Sequence, residues 1–399
     1  MANIHRVKQW VMSRSTGLIS REPEVIKGSG CLLRIPEMLV EAGHEKVLVA
    51  TTPGFIKRKT LEPFFDALKE AGIEATVYSE VVPDPTIECV EQVATAYVLG
   101  NCQAVVAIGG GSVIDCAKAA AARVVRPDKQ IRDMKGLLRI HTKLPDFYAV
   151  PTTAGTGSEA TAASVVTDTV DGLHYKYSLN DTCLIPKYAV LDPQLLVALP
   201  PANTAATGMD ALTHAVEAYT NKYPSALVKE KALDAVKLIY ENLPTAFEDG
   251  KNIEAREKML LASYEAGVAF TNNFVGYVHA VAHGIGALYG MAHGQANAII
   301  LPYVMEQFGK AAHKPLAELA KAAGLAGDND AGLAFAFIES MRKMNASFGI
   351  PDKIEELKES DFNILIDRAI AEANYTYPVP AIWGRGDFRR LLEKLKENK

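Results

Sequence analysis

No stretch of this chain approaches the roughly 20 consecutive apolar residues that a membrane-spanning helix needs. Its start, MANIHRVKQW, also lacks the apolar core of a secretory leader. Cysteine is scarce: Cys31, Cys89, Cys102, Cys116 and Cys183 make an odd set with no CxxC pair. That excludes a disulfide framework or a cysteine-built zinc ribbon and points to reduced thiols in a soluble cytoplasmic protein. Neither sign of charge dominates, since 42 basic residues face 47 acidic ones along the whole length, for a net charge of −5. The chain therefore has no basic footprint for nucleic acid or for an anionic membrane. Internal repeats are absent as well, and 49% hydrophobic with 22% charged residues excludes disorder.

What is present falls into two textures, as expected for 399 residues, which are many for one core. Up to Leu199, short apolar runs alternate with helical patterns. VLVAT (Val47 to Thr51) reads as a strand, followed by the helical LEPFFDALKEAG, with Gly72 as its stop. A second strand at Ala75 to Tyr78, the turn PDPT, a helix from Ile87 to about Leu99 and the strand AVVAI (Ala104 to Ile108) follow. The helix VIDCAKAAAARVV and the strand FYAVP (Phe147 to Pro151) come next, then the strand-like ASVVT and YAVL. Uniformly apolar strands alternating with helices predict a parallel sheet covered on both faces. After Leu199-Pro200-Pro201 no convincing strand run remains, and Ala-rich helical patterns continue to the C-terminus. Breaks are expected at Pro224, Pro244, Gly250, Pro302, Gly324, Pro351 and Pro378. The reading is an α/β domain over 1–199 and an all-helical domain over 200–399.

Within the helical half, GMDALTHAVEAY and VGYVHAVAHGIGALYGMAHGQANAIILP place Asp210, His214, His279, His283 and His293 among apolar neighbours. Ionisable side chains in such surroundings cost free energy unless something satisfies them, and a divalent cation would satisfy several at once. Asp210 and His214 are four apart, so in a helix they lie roughly 40° apart on one face. His279 and His283 repeat that spacing. On one straight helix His293 would lie roughly 21 Å along the axis from His279, so it joins the cluster only if the chain turns back, for which Gly290 is the expected break. A carboxylate with imidazoles suits Fe²⁺ or Zn²⁺ and argues against Mg²⁺ or Ca²⁺.

In the first half, AVVAIGGGSVIDCAK is a strand, a glycine turn and a helix, the geometry that seats a pyrophosphate on backbone N–H groups and the positive end of a helix. It is not GxGxxG, because Ile114 stands where the third glycine would be. PTTAGTGSE, residues 151–159, follows the next strand and brings a second loop to the same sheet edge, where open α/β sheets bind ligands. Lys176 is a further candidate for a phosphate or ribose contact.

Taken together, GGGS at 109–112, PTTAGTGSE, GMDALTHAVE and the VHAVAHGIGALYGMAHGQANAIILP stretch resemble the iron-containing (group III) alcohol dehydrogenase family, over about residues 20–370. The family shares its fold with dehydroquinate synthase and glycerol dehydrogenase. The resemblance implies a nicotinamide dinucleotide-binding first domain, a metal-binding and substrate second domain, and interconversion of short-chain primary alcohols or diols and aldehydes with NAD or NADP. It assigns Asp210, His214, His279 and His293 as ligands of Fe²⁺ (alternatively Zn²⁺) and makes His283 the non-ligand active-site histidine. Gly109, Gly110, Gly111 and Ser112 match the pyrophosphate site. Thr152, Thr153 and Thr156 match the nicotinamide and ribose lining, Lys176 a lysine near the cofactor, and Asp84 a position near the adenosine half. A homodimer or larger homo-oligomer is expected, with a small alcohol or aldehyde as the only other partner. Two departures stand out. Thr52 takes the place of the Asp that binds the adenosine ribose in NAD-preferring relatives, and with Lys57, Arg58 and Lys59 nearby it leaves room for NADP. NYTYPVPAIWGRGDF replaces the usual NPR-type segment. Competing readings are a dehydroquinate-synthase-like lyase, a polyol or sugar-phosphate dehydrogenase, and a metallohydrolase.

Overall fold

The computed structural model describes Arg6, Gln9, residues 21–170 and residues 173–396. The chain forms two compact units, Arg21–Leu199 with Gly250–Leu260, and Met1–Ser20 with Pro200–Asp249 and Leu261–Lys399.

In the first unit six strands form one parallel sheet: β1 (Glu24–Lys27), β2 (Lys46–Ala50), β3 (Glu74–Tyr78), β4 (Ala104–Gly109), β6 (Asp146–Pro151) and β9 (Tyr188–Leu191), in the order β1-β9-β6-β4-β2-β3. Between β4 and β6 lies β5 (Gly136–Leu137), which joins the antiparallel pair β7 (Ala163–Val170) and β8 (Leu173–Asn180) in a smaller sheet. Every residue of β4 is buried, as a strand covered on both faces must be. The unit's helices are α1 (Ile35–Glu41), α2 (Pro53–Lys57), α3 (Glu62–Glu70), α4 (Ile87–Leu99) and α5 (Gly111–Val125). From β2 the chain winds outward to β3 and then returns to β4, β6 and β9 on the other side, so the strand order reverses between β2 and β4. That switch point, at the carboxyl ends of the strands, is where such sheets open a crevice for a ligand.

The remaining helices are α6 (Pro201–Thr220), α7 (Ala226–Glu248), α8 (Ile253–Asn273), α9 (Tyr277–Tyr289), α10 (His293–Phe308), α11 (His313–Ala322), α12 (Asp330–Ser347), α13 (Phe362–Ala373) and α14 (Arg385–Leu395). α6 opens with Pro201 in its first turn, where a missing N–H costs nothing. The expected break at Gly290 is present: it caps α9 in the left-handed conformation, at φ 69°, and α10 starts at His293. Breaks at Pro244 and Pro302 are not, because each proline lies inside a helix. A helix-interior proline costs about 3 kcal/mol, and burial outweighs that here. Leu243 and Ala246 flank Pro244 at 0% exposure, and Ile299 to Met305 are all buried around Pro302. Among the described residues, no helix is long and apolar enough to cross a membrane.

Candidate active site

The glycine turn lies at the switch point. β4 ends at Gly109, Gly110 occupies the cap position without a side chain to close it, and α5 starts at Gly111. The helix therefore leaves its first N–H groups to whatever approaches from outside. The 151–159 loop packs directly on this turn. Thr152 N–H donates to the Gly109 carbonyl at 3.0 Å. A methyl group on Gly110 would meet Thr153 at 3.3 Å and one on Gly111 would meet Thr156 at 2.6 Å, so the turn tolerates no side chain at Gly111. This cradle fits a pyrophosphate. Ser112 Oγ accepts from the backbone N–H of Asp84, which sits at φ 52°, and Asp84 pairs with Lys176 at 2.7 Å. Ser112, Asp84 and Lys176, from three separate segments, thus form one cluster. Thr52 stands at the end of the neighbouring strand β2 as the half-buried first residue before α2, with Lys57, Arg58 and Lys59 exposed beyond it.

Sequence reasoning passed over what fastens this loop. Lys118, on α5 and fully buried, donates to the carbonyls of Ser158, Thr161 and Ala163 and to the Thr161 hydroxyl, at 2.6 to 3.1 Å. Asp115, one turn earlier, accepts from Ser158 Oγ and Val165 N–H. In the sequence these are only a Lys and an Asp in an Ala-rich helix, with no sign of the partners that satisfy them.

In the helical unit, Asp210, His279 and His293 converge, and their ligand atoms all lie within 4.8 Å of one another. Asp210 Oδ1 is 3.6 Å from His293 Nε2 and 3.9 Å from His279 Nε2. Ligand atoms about 2.1 Å from a tetrahedral ion lie roughly 3.4 Å apart, so the spacing fits a transition-metal cation. The electrostatics fit as well. Burial and the neighbouring imidazoles of His214, His293 and His283 push His279 well below its ordinary range, leaving a neutral ring with a lone pair to give. Asn297 Nδ2 points into the same focus, 2.7 Å from Asp210 Oδ1, 3.2 Å from His279 Nε2 and 3.1 Å from His293 Nε2. His214, one turn from Asp210 on α6, stacks its ring between Phe270 at 4.4 Å and His279 at 4.5 Å, beside the trio. Gly294 makes the approach possible, since a methyl group there would sit 2.3 Å from the Ala206 carbonyl oxygen of α6.

His283 stacks on His293, with ring centroids 5.2 Å apart, but turns its Nδ1 to a different partner. Its Nδ1 is 2.9 Å from Glu372 Oε1, which also accepts from Tyr377 Oη at 2.8 Å. Burial pushes the Glu372 carboxyl upward, but the charge and hydrogen bond of His283, with that of Tyr377, prevail and hold it below the usual carboxylate range. Glu372 and Tyr377 come from the region of the divergent NYTYPVPAIWGRGDF segment, which gave no sequence signal for a site. Of the aromatic residues near the histidines, Phe270 touches His214 and Phe274 lies 6.2 Å from Tyr377, whereas Tyr277 is core. It is fully buried, stacks on Trp383 and hydrogen-bonds Asn374. Glu217 backs His279, with its Oε2 2.6 Å from His279 Nδ1. Burial raises Glu217, while the N–H groups at Gly276, Val278 and His279 and the His283 charge work the other way and favour the ionised carboxylate.

Residues 22–193 match the family described as iron-containing alcohol dehydrogenase, and residues 204–395 match the C-terminal part of the Fe-containing alcohol dehydrogenase family. The chain is 35% identical over 357 residues to the NAD-dependent methanol dehydrogenase of Bacillus methanolicus, covering 88% of this chain and 92% of that protein. It is 36% identical over 379 residues to the NADPH-dependent butanol dehydrogenase of Clostridium saccharobutylicum, covering 93% and 95%. A crystal structure of 1,3-propanediol oxidoreductase superimposes with a TM-score of 0.89 at 33% identity, over 94% of this chain and 98% of that one.

Proposed function

The chain belongs to the iron-containing alcohol dehydrogenase family, and from that premise we propose that it interconverts short-chain primary alcohols or diols and their aldehydes at a metal held by Asp210, His214, His279 and His293. It is an NAD(P)-dependent oxidoreductase. The observation that carries the finer reading is the convergence of Asp210 Oδ1, His279 Nε2 and His293 Nε2. One carboxylate and three imidazoles suit Fe²⁺ and Zn²⁺ alike. When bound, the cation supplies Lewis acidity toward the substrate oxygen and the nicotinamide ring supplies hydride-carrying capacity.

The chain's own residues do the rest. The backbone N–H groups at the start of α5, with Ser112, bind the pyrophosphate. Thr152, Thr153 and Thr156 orient the nicotinamide half, and Lys118 and Asp115 keep their loop on α5. Glu372 holds His283 by Nδ1, which supports a role for Nε2 in taking the hydroxyl proton during oxidation and returning it during reduction. The relatives named for methanol, butanol and 1,3-propanediol support the substrate class.

A panel of such alcohols and aldehydes, assayed with NAD(H) and NADP(H) on protein loaded separately with Fe²⁺ and Zn²⁺, should change nicotinamide absorbance for the short primary members. Turnover of only polyhydroxylated or phosphorylated substrates, or hydrolysis without nucleotide, would sink the reading. Thr52 presents no charge to repel a 2′-phosphate, so NADP belongs with NAD among the accepted cofactors. Thr52→Asp should weaken NADPH binding by about tenfold, or about 1.4 kcal/mol, with NADH little changed. Equal effects on both, measured by fluorescence titration, would show that Thr52 does not face the ribose.

A further inference from the structure

On α6, Asp210, His214 and Glu217 follow one another at helical spacing, and Asn221 caps the helix one turn on. The four fall within roughly 60° of one another around the axis. Asp210 belongs to the metal focus and His214 stacks beside it, while the last two hold the turn that leads into α9. Asn221 Nδ2 donates to the carbonyls of Asn273, Phe274 and Val275 at 2.9 to 3.2 Å. Glu217, 1% exposed, accepts three N–H groups: Gly276 at 2.8 Å, Val278 at 2.7 Å and His279 Nδ1 at 2.6 Å. The fit is close enough that a methyl group on Gly276 would lie 2.7 Å from Glu217 Oε1.

We propose that Glu217 is the positioning residue of the metal centre, fixing both the first turn of α9 and the tautomer of His279 so that Nε2 faces the cation. The inference rests on the metal reading given above and extends it to a residue outside the ligand set. A carboxylate suits the task because it offers two acceptors and no donor to three N–H groups. A Gln amide has one oxygen, so in either orientation its NH₂ faces an N–H. Either Val278 loses its acceptor, or Gly276 and His279 do and the ring is driven to the tautomer with a proton on Nε2. A carboxylate that orients a ligating histidine typically contributes 10- to 100-fold in metal affinity.

The test is a chelator-competition titration of Zn²⁺ and Fe²⁺ on the full-length parent, Glu217→Gln and Glu217→Ala. Metal dissociation constants are expected to rise about 10- to 100-fold in both variants, with the far-ultraviolet circular dichroism of the metal-free proteins unchanged. Parent affinity in both variants overturns the inference while leaving the metal reading intact. A parent that takes up no metal overturns both. Should the variants fail to fold, the parent decides alone. Nitrogen-15 histidine NMR of the Zn²⁺-loaded protein should show His279 protonated at Nδ1 and coordinated at Nε2, and coordination through Nδ1 rules Glu217 out.

Discussion

Replacing His279 by Ala should strip the protein of metal and of dehydrogenase activity together. The ring is buried at 2% exposure, contributes one of three converging ligand atoms and stacks on His214, so its loss removes a ligand and the support of a second. Lewis-acid stabilisation contributes several kcal/mol, and each 1.4 kcal/mol is a factor of ten in rate. The fall in kcat/KM should therefore be about a thousandfold or more, with elemental analysis reporting less than stoichiometric metal. The informative contrast is His283→Ala. That variant should keep its metal, because His283 stacks on His293 but gives no atom to the three that converge and is hydrogen-bonded to Glu372 instead, while turnover falls about 100-fold, the usual scale of a general acid–base contribution. If His283→Ala lost its metal and His279→Ala kept it, the two histidines would have to exchange roles.

Gly294→Ala carries the second large effect, although the change adds only a methyl group. Its new Cβ would meet the Ala206 carbonyl oxygen at 2.3 Å and carbon at 2.8 Å, with Asp210 Cβ at 3.3 Å. The close atoms are backbone of α6 and cannot rotate away, so α10 must back off, and His293 moves with it, away from Asp210. Overpacking of this kind costs about 1–3 kcal/mol of stability, and a misplacement of about 1 Å at a site can cost about 100-fold in rate. We expect a Tm lowered by several degrees and a metal dissociation constant raised at least about tenfold. Unchanged metal affinity would mean that the ligand geometry survives a wider separation of the two helices.

The distribution of these residues explains how much the sequence disclosed. Strands β2, β4 and β6 were legible because each is an apolar run ended by a turn residue, α4 because its Thr86 cap agrees with its apolar spacing, and α5 because an Ala-rich run follows the glycine turn. Gly290 was legible because His293 had to be brought back to His279. Pro244 and Pro302 misled because local breaking strength is visible in sequence, whereas the burial that overrides it is tertiary. Glu217 and Glu372 were hidden for a related reason. A glutamate in a helix reads as solvated surface, and only the folded chain places one behind His279 and the other behind His283. Lys118 was hidden in the same way, since the carbonyls it satisfies lie some 40 residues further on.

The proposed ligand set also has a consequence for the order in which the molecule forms. Asp210, His279 and His293 reside on α6, α9 and α10, all between Pro201 and Phe308 with only α7 and α8 intervening, and α9 and α10 follow each other across one turn. The large sheet closes differently: its first strand pairs with its last, Glu24 against Tyr188, across the whole of the α/β segment. Helix pairs close in sequence collapse quickly, while parallel pairings of distant strands wait for a large loss of chain entropy. In a refolding experiment the metal-capturing half is thus expected to become competent before the nucleotide crevice exists, so the cation meets a partly folded chain and the dinucleotide a finished one.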